Sequence, residues 1–137
     1  MPDAVKVSSN SSFAAASYAN VFKTVNGTIT GTGSLTLWTP ATGKRFVVKS
    51  LALSYLVTTA FTGSGTSLQL LDDTTVIGDV QVFSASAAIG LTNQITIDLR
   101  QGIASTGANK VLSLKFNTTI GAGVLAITCI SMGTELV

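Results

Sequence analysis

Two segments alternate strictly between apolar and polar residues, and they govern how the rest of the chain reads. Over 94–100, Ile95, Ile97 and Leu99 share one face, with Gln94, Thr96, Asp98 and Arg100 on the other. Over 111–117 the pattern repeats, and Leu112, Leu114 and Phe116 are expected to point inward. A period of two marks half-buried strands of the antiparallel kind. The stretch between them, 101–109, reads as a polar, glycine-containing loop. Three other runs, 45–57, 67–71 with 76–83, and 124–132, place apolar groups on both faces. In the first, Val47, Leu51, Leu53 and Tyr55 share one parity, while Phe46, Val48, Ala52 and Leu56 share the other. A strand buried on one side does not need both, so another subunit or a terminal arm is expected to cover the second face.

Residues 1–18 carry no such period. The Ser8-Ser9-Asn10-Ser11-Ser12 run and the alanines after Phe13 read as an arm, with residues 19–137 forming the domain. Asn26-Gly27 suits a type I′ hairpin turn between 21–25 and 28–30. Gly31 and Gly33 loosen the chain before a strand at 34–38, and Thr42-Gly43-Lys44-Arg45 reads as a β-turn ahead of the next one. About eight strands result, with turn signals roughly every ten residues and no amphipathic helix. The fold class is all-β: an antiparallel sandwich of two four-stranded sheets, of jelly-roll type.

Charge changes the picture most. Of 137 residues only 14 are charged, and none is histidine. Threonine and serine take their place, because short hydroxyl side chains suit the outer face of a pleated sheet. Without imidazole, Ser-His-Asp and Cys-His nucleophilic sites cannot be built, nor can zinc sites that need it. Gly43-Lys44-Arg45 lacks the hydroxyl of a phosphate-binding loop. Asp73 and Asp79 could face each other across a hairpin as a glycosidase pair does. Asp72-Asp73 before two threonines more simply caps a turn. Cys129 lies in an alternating run and reads as a small buried hydrophobe, and Trp38 as packing over one end of the sandwich. No cofactor or metal is expected, and a net charge of +2 gives no reason to expect a nucleic-acid or membrane partner. Residues 1–6 lack the basic start and apolar core of a secretory signal, so synthesis in the cytoplasm is expected.

The stretch Leu35-Thr36-Leu37-Trp38-Thr39-Pro40-Ala41-Thr42-Gly43-Lys44-Arg45-Phe46-Val47-Val48 resembles small virion proteins of tailed bacteriophages. Among these are jelly-roll decoration, or cement, proteins that bind the capsid exterior, commonly as trimers. The match covers about a tenth of the chain. It implies a non-enzymatic virion protein that is homotrimeric and has the major capsid protein as partner. Phe13, Tyr18 and Tyr55 are the candidate subunit contacts. The alternative is a carbohydrate-binding or host-adhesin module of a phage tail on the same fold.

Overall fold

Eight strands form in the computed structural model, which describes residues 20–84, 86–118 and 120–137. They are β1 (Val21–Thr30), β2 (Ser34–Trp38), β3 (Arg45–Thr62), β4 (Thr66–Asp72), β5 (Thr75–Phe83), β6 (Thr92–Ala104), β7 (Leu112–Phe116) and β8 (Ala122–Leu136). The expected arm over 1–18, with Phe13 and Tyr18, lies outside the described residues. One sheet has the order β1-β8-β3-β6 and the other β2-β7-β4-β5. All pairings are antiparallel. First strand pairs with last, second with seventh, third with sixth and fourth with fifth. That is a double-stranded ribbon rolled up on itself, the jelly roll expected from the sequence.

The inward faces of the two sheets meet in one core. Leu112, Leu114 and Phe116 are buried in it, and Ile95, Ile97 and Leu99 pack against it from β6. Around Phe83 gather Tyr55, Phe61 and Phe116, with ring centroids 5.1, 5.4 and 6.0 Å away, mostly edge to face. Ile97→Ala should therefore cost about 2 kcal/mol, the low end for a cavity because Ile97 is only half-buried. Asp98→Ala, on the exposed side, removes no core packing and only the hydrogen bond to the Arg100 N–H, and should cost about 1 kcal/mol or less. Urea denaturation of both variants checks this, and equal effects would contradict the inward assignment.

Three expectations are corrected. The first concerns β3. Val48 pairs with Gly133 and Ser50 with Met132, so Lys49 is an extra residue, a β-bulge. The bulge flips the alternation, and Phe46, Val48, Leu51, Leu53, Tyr55 and Val57 all turn inward. The apparent two-sided strand is a one-sided strand with a parity slip.

Asn26-Gly27 is not a turn, since β1 stays paired with β8 from Val21↔Gly133 to Thr30↔Val124. Gly27 packs under Leu35 instead: a Cβ there would lie 2.5 Å from Leu35 Cδ1, and that side chain would have to shift to admit it. The third correction shortens the expected 101–109 loop. β6 continues to Ala104 through a wide bulge in which residues 99–102 lie opposite Lys49 alone. Arg100 and Gly102 take positive φ there, and the Asp98 carboxylate accepts the Arg100 N–H at 2.8 Å. The turn at 41–44 is as expected, closed by Lys44 N–H to the Ala41 carbonyl with Gly43 at φ 79°.

Candidate interaction surface

Strand pairing lines up the outward side chains of the first sheet in rungs. From β1 across β8 and β3 to β6 these run Phe22–Met132–Ser50–Asp98, Thr24–Ile130–Ala52–Thr96, Asn26–Thr128–Ser54–Gln94 and Thr28–Ala126–Leu56–Thr92. Of these sixteen positions only Asp98 is charged, although outward sheet faces usually hold Lys and Glu. Phe22 is 64% exposed, and Leu56 and Ile130 are also exposed. A groove of about 760 Å³ crosses this face, lined by Asn26, Ser54, Leu56, Thr92, Asn93, Gln94, Ala126 and Thr128. The Thr128 hydroxyl donates to Asn26 Oδ1 at 2.6 Å. A second hollow of about 250 Å³ adjoins it over Ala52, Thr96 and Ile130. Hydroxyls, carboxamides and apolar groups make a surface suited to hydrogen bonding and packing.

Tyr55 turns inward as a result of the bulge, and only 6% of it is exposed. Its ring belongs to the core. Burial raises its phenol above the usual value against a hydrogen bond with Asn93. Burial likewise pushes the Cys129 thiol up to about 11, so it is neutral at ordinary pH and not a nucleophile.

The two ends of the sandwich differ sharply. At one end lie the connections 39–44, 73–74 and 105–111. There the Trp38 indole N–H donates to Glu135 Oε2 at 2.8 Å, with the ring buried against Phe46, as packing over the sandwich end requires. The Gly43 N–H donates to Asn109 Oδ1 at 2.7 Å. Asp72 is fully buried and accepts from the Ser105 hydroxyl at 2.7 Å, the Thr106 N–H at 2.8 Å and the Thr106 hydroxyl at 3.0 Å. The Lys110 ammonium donates to the Thr106 hydroxyl behind them. Asp73 sits in the two-residue turn at positive φ, whereas Asp79 lies opposite Gln69, several rungs along, and accepts its amide at 2.9 Å. The Asp73–Asp79 hairpin pair is not formed. Among the described residues no cluster of three or more His, Cys, Asp or Glu could hold a metal.

At the other end lie the connections 31–33, 63–65, 84–91 and 117–121, built from Gly, Ser, Thr, Ala, Asn, Ile and Leu alone. None of those residues is charged.

No family model matches the sequence, and no curated protein matches it either. Several solved structures match it at a distance. FLHE is 15% identical over 85% of this chain and 96% of its own, with a TM-score of 0.43. The tobacco streak virus coat protein is 11% identical over 97% and 91%, with a TM-score of 0.40. A chain of the cyanophage Pam1 capsid asymmetric unit is 15% identical over 83% and 84%, with a TM-score of 0.35. Two of these three are viral capsid components, but likeness at this level says nothing about what this chain binds.

Proposed function

We propose that the protein is a non-enzymatic structural component of a virion. It decorates the outside of a bacteriophage capsid as a homotrimer and bridges shell subunits. The observation that carries this is the outward face of the first sheet, with one charge in sixteen positions and Phe22, Leu56 and Ile130 exposed. Hydroxyls alone can wet a face this poor in charge, but Phe22, Leu56 and Ile130 standing exposed among them suit a face that packs on another protein. The jelly-roll scaffold and the resemblance at 35–48 agree with it. Attachment would be distributed over many weak contacts, with each oligomer gaining avidity from neighbouring shell sites.

Quantitative mass spectrometry of purified particles tests this. Copies on the order of hundreds per particle are expected, as decoration of a whole shell requires. Ser54→Lys, placed mid-face, should lower occupancy without changing the fold. Absence from particles would overturn the proposal. A few dozen copies, or fewer, would favour the second reading, a tail adhesin for a neutral, hydroxyl-rich glycan. The three carboxamides Asn26, Asn93 and Gln94 in the groove supply the observation behind that reading.

A further inference from the structure

We infer that the uncharged end of the sandwich is where copies of this chain meet one another. It rests on the oligomeric part of the reading above and is independent of what the oligomer then binds. The connections at that end contain no Asp, Glu, Lys or Arg, whereas those at the opposite end carry Lys44, Asp73 and Lys110. Around a rotation axis each residue near the axis faces its own copy. Any charge there would meet a like charge in a partly dried contact, which is unfavourable. An end without charge avoids that repulsion. A different protein as partner imposes no such condition, because charges complementary to its own would add specificity and speed of encounter. The lack of both signs thus points to self-association.

Two features of the same end support close approach. Val82 is 72% and Ile89 68% exposed, the largest values among the exposed apolar side chains apart from the terminal Val137. Leu91 is exposed beside Ile89 in the same β5–β6 connection. Uncharged apolar groups of this kind form the cores of protein contacts. The rest of the end is low and closely knit. The Gly121 N–H donates to the Thr62 carbonyl at 2.8 Å, and a Cβ on Gly63 would lie 3.2 Å from Gly121 N. Apart from Ile89 and Leu91, the exposed residues of these connections carry little side-chain bulk. Lys115, the last charge on β7 before this end, is on the exposed outward flank of the second sheet.

Sedimentation velocity of the full chain at micromolar concentration tests the inference. Ile89→Asp and Ser64→Lys add opposite charges at exposed positions of this end, and Thr42→Asp adds one at the far end. Circular dichroism verifies that each variant is folded. The wild type is expected to be oligomeric, and Thr42→Asp to behave like it. Ile89→Asp and Ser64→Lys should each dissociate to 14.0 kDa chains. Their dissociation constants should rise about a hundredfold or more. A monomeric wild type would overturn the inference, as would two charged variants that stay assembled. If those variants stay assembled and lose only particle binding, the end belongs to the shell contact and not to a second copy.

Discussion

Replacing Gly133 with alanine should destabilise the fold by about 4 kcal/mol, near the upper end for single substitutions. Gly133 is buried in β8, paired with Val21 on one side and Val48 on the other. The Lys49 bulge brings the backbone of β3 unusually close to it. A Cβ built there runs into the Val47 carbonyl oxygen, with the carbonyl carbon at 2.9 Å and Lys49 N at 3.2 Å. These are backbone atoms, so no side-chain rotation relieves the clash. Straightening the bulge would relieve it but would shift every residue from Leu51 to Val57 to the wrong face. Gly78→Ala is the matched control, because a Cβ there meets nothing within 4 Å. It should be neutral within about 0.5 kcal/mol, or slightly stabilising. Denaturant midpoints of the two variants decide the matter; similar midpoints would mean that β3 does not bulge against Gly133.

The same bulge marks the limit of what pattern reading can reach. Where alternation is unbroken, as around Ile97 and Leu114, sequence and structure agree on which residues turn inward. A bulge adds one residue and changes no composition, so β3 reads as two-sided when it is not. Lys49 between Val48 and Ser50 was the available signal: a lysine breaking an apolar run at the point where the parity changes. Asn26-Gly27 misled for a different reason. An Asn-Gly pair favours a turn only where strand pairing stops, and β8 holds β1 through all ten residues. Pairing with a segment about a hundred residues away outweighs the local preference.

The candidate surface was legible in kind but not in place. Scarcity of charge and abundance of threonine are visible at once, and they correctly suggest strand faces wetted by hydroxyls. Which hydroxyls and amides stand together is set by the pairing of β1 with β8 and of β3 with β6. Asn26, Thr128, Ser54 and Gln94 form a rung only once that register is known. Tyr55 turns into the core with Leu51 and Leu53, and Leu56 takes the exposed place beside it. The contrast between the two sandwich ends, by comparison, follows from the loops alone once their alternation is recognised. Every second connection is uncharged, and in an antiparallel sandwich alternate connections share an end.

Asp72 is the least expected of the structural residues, and its removal gives the second large effect. Its adjacency to Asp73 suggested a turn cap, but its carboxylate reaches Ser105 and Thr106 and pins the start of the β6–β7 connection. Burial alone would raise its pKa. Hydrogen bonds from the Thr106 N–H and the Ser105 and Thr106 hydroxyls, with the Lys110 charge nearby, outweigh burial and hold it below the usual value. Asp72→Ala leaves those donors without their acceptor and should cost about 3 kcal/mol at neutral pH. The sign of the pH dependence follows from linkage. A carboxyl with a lower pKa folded than unfolded stabilises the fold fully above the unfolded value of about 3.9. That contribution is lost as pH falls through the folded value. Urea unfolding should therefore show a wide gap between wild type and Asp72→Asn at pH 7 that narrows in acid. Hydrogen exchange at the Thr106 amide should quicken in both variants, because its acceptor is weakened or gone. A gap that stays constant into strong acid would show that the carboxylate charge is not what holds the connection in place.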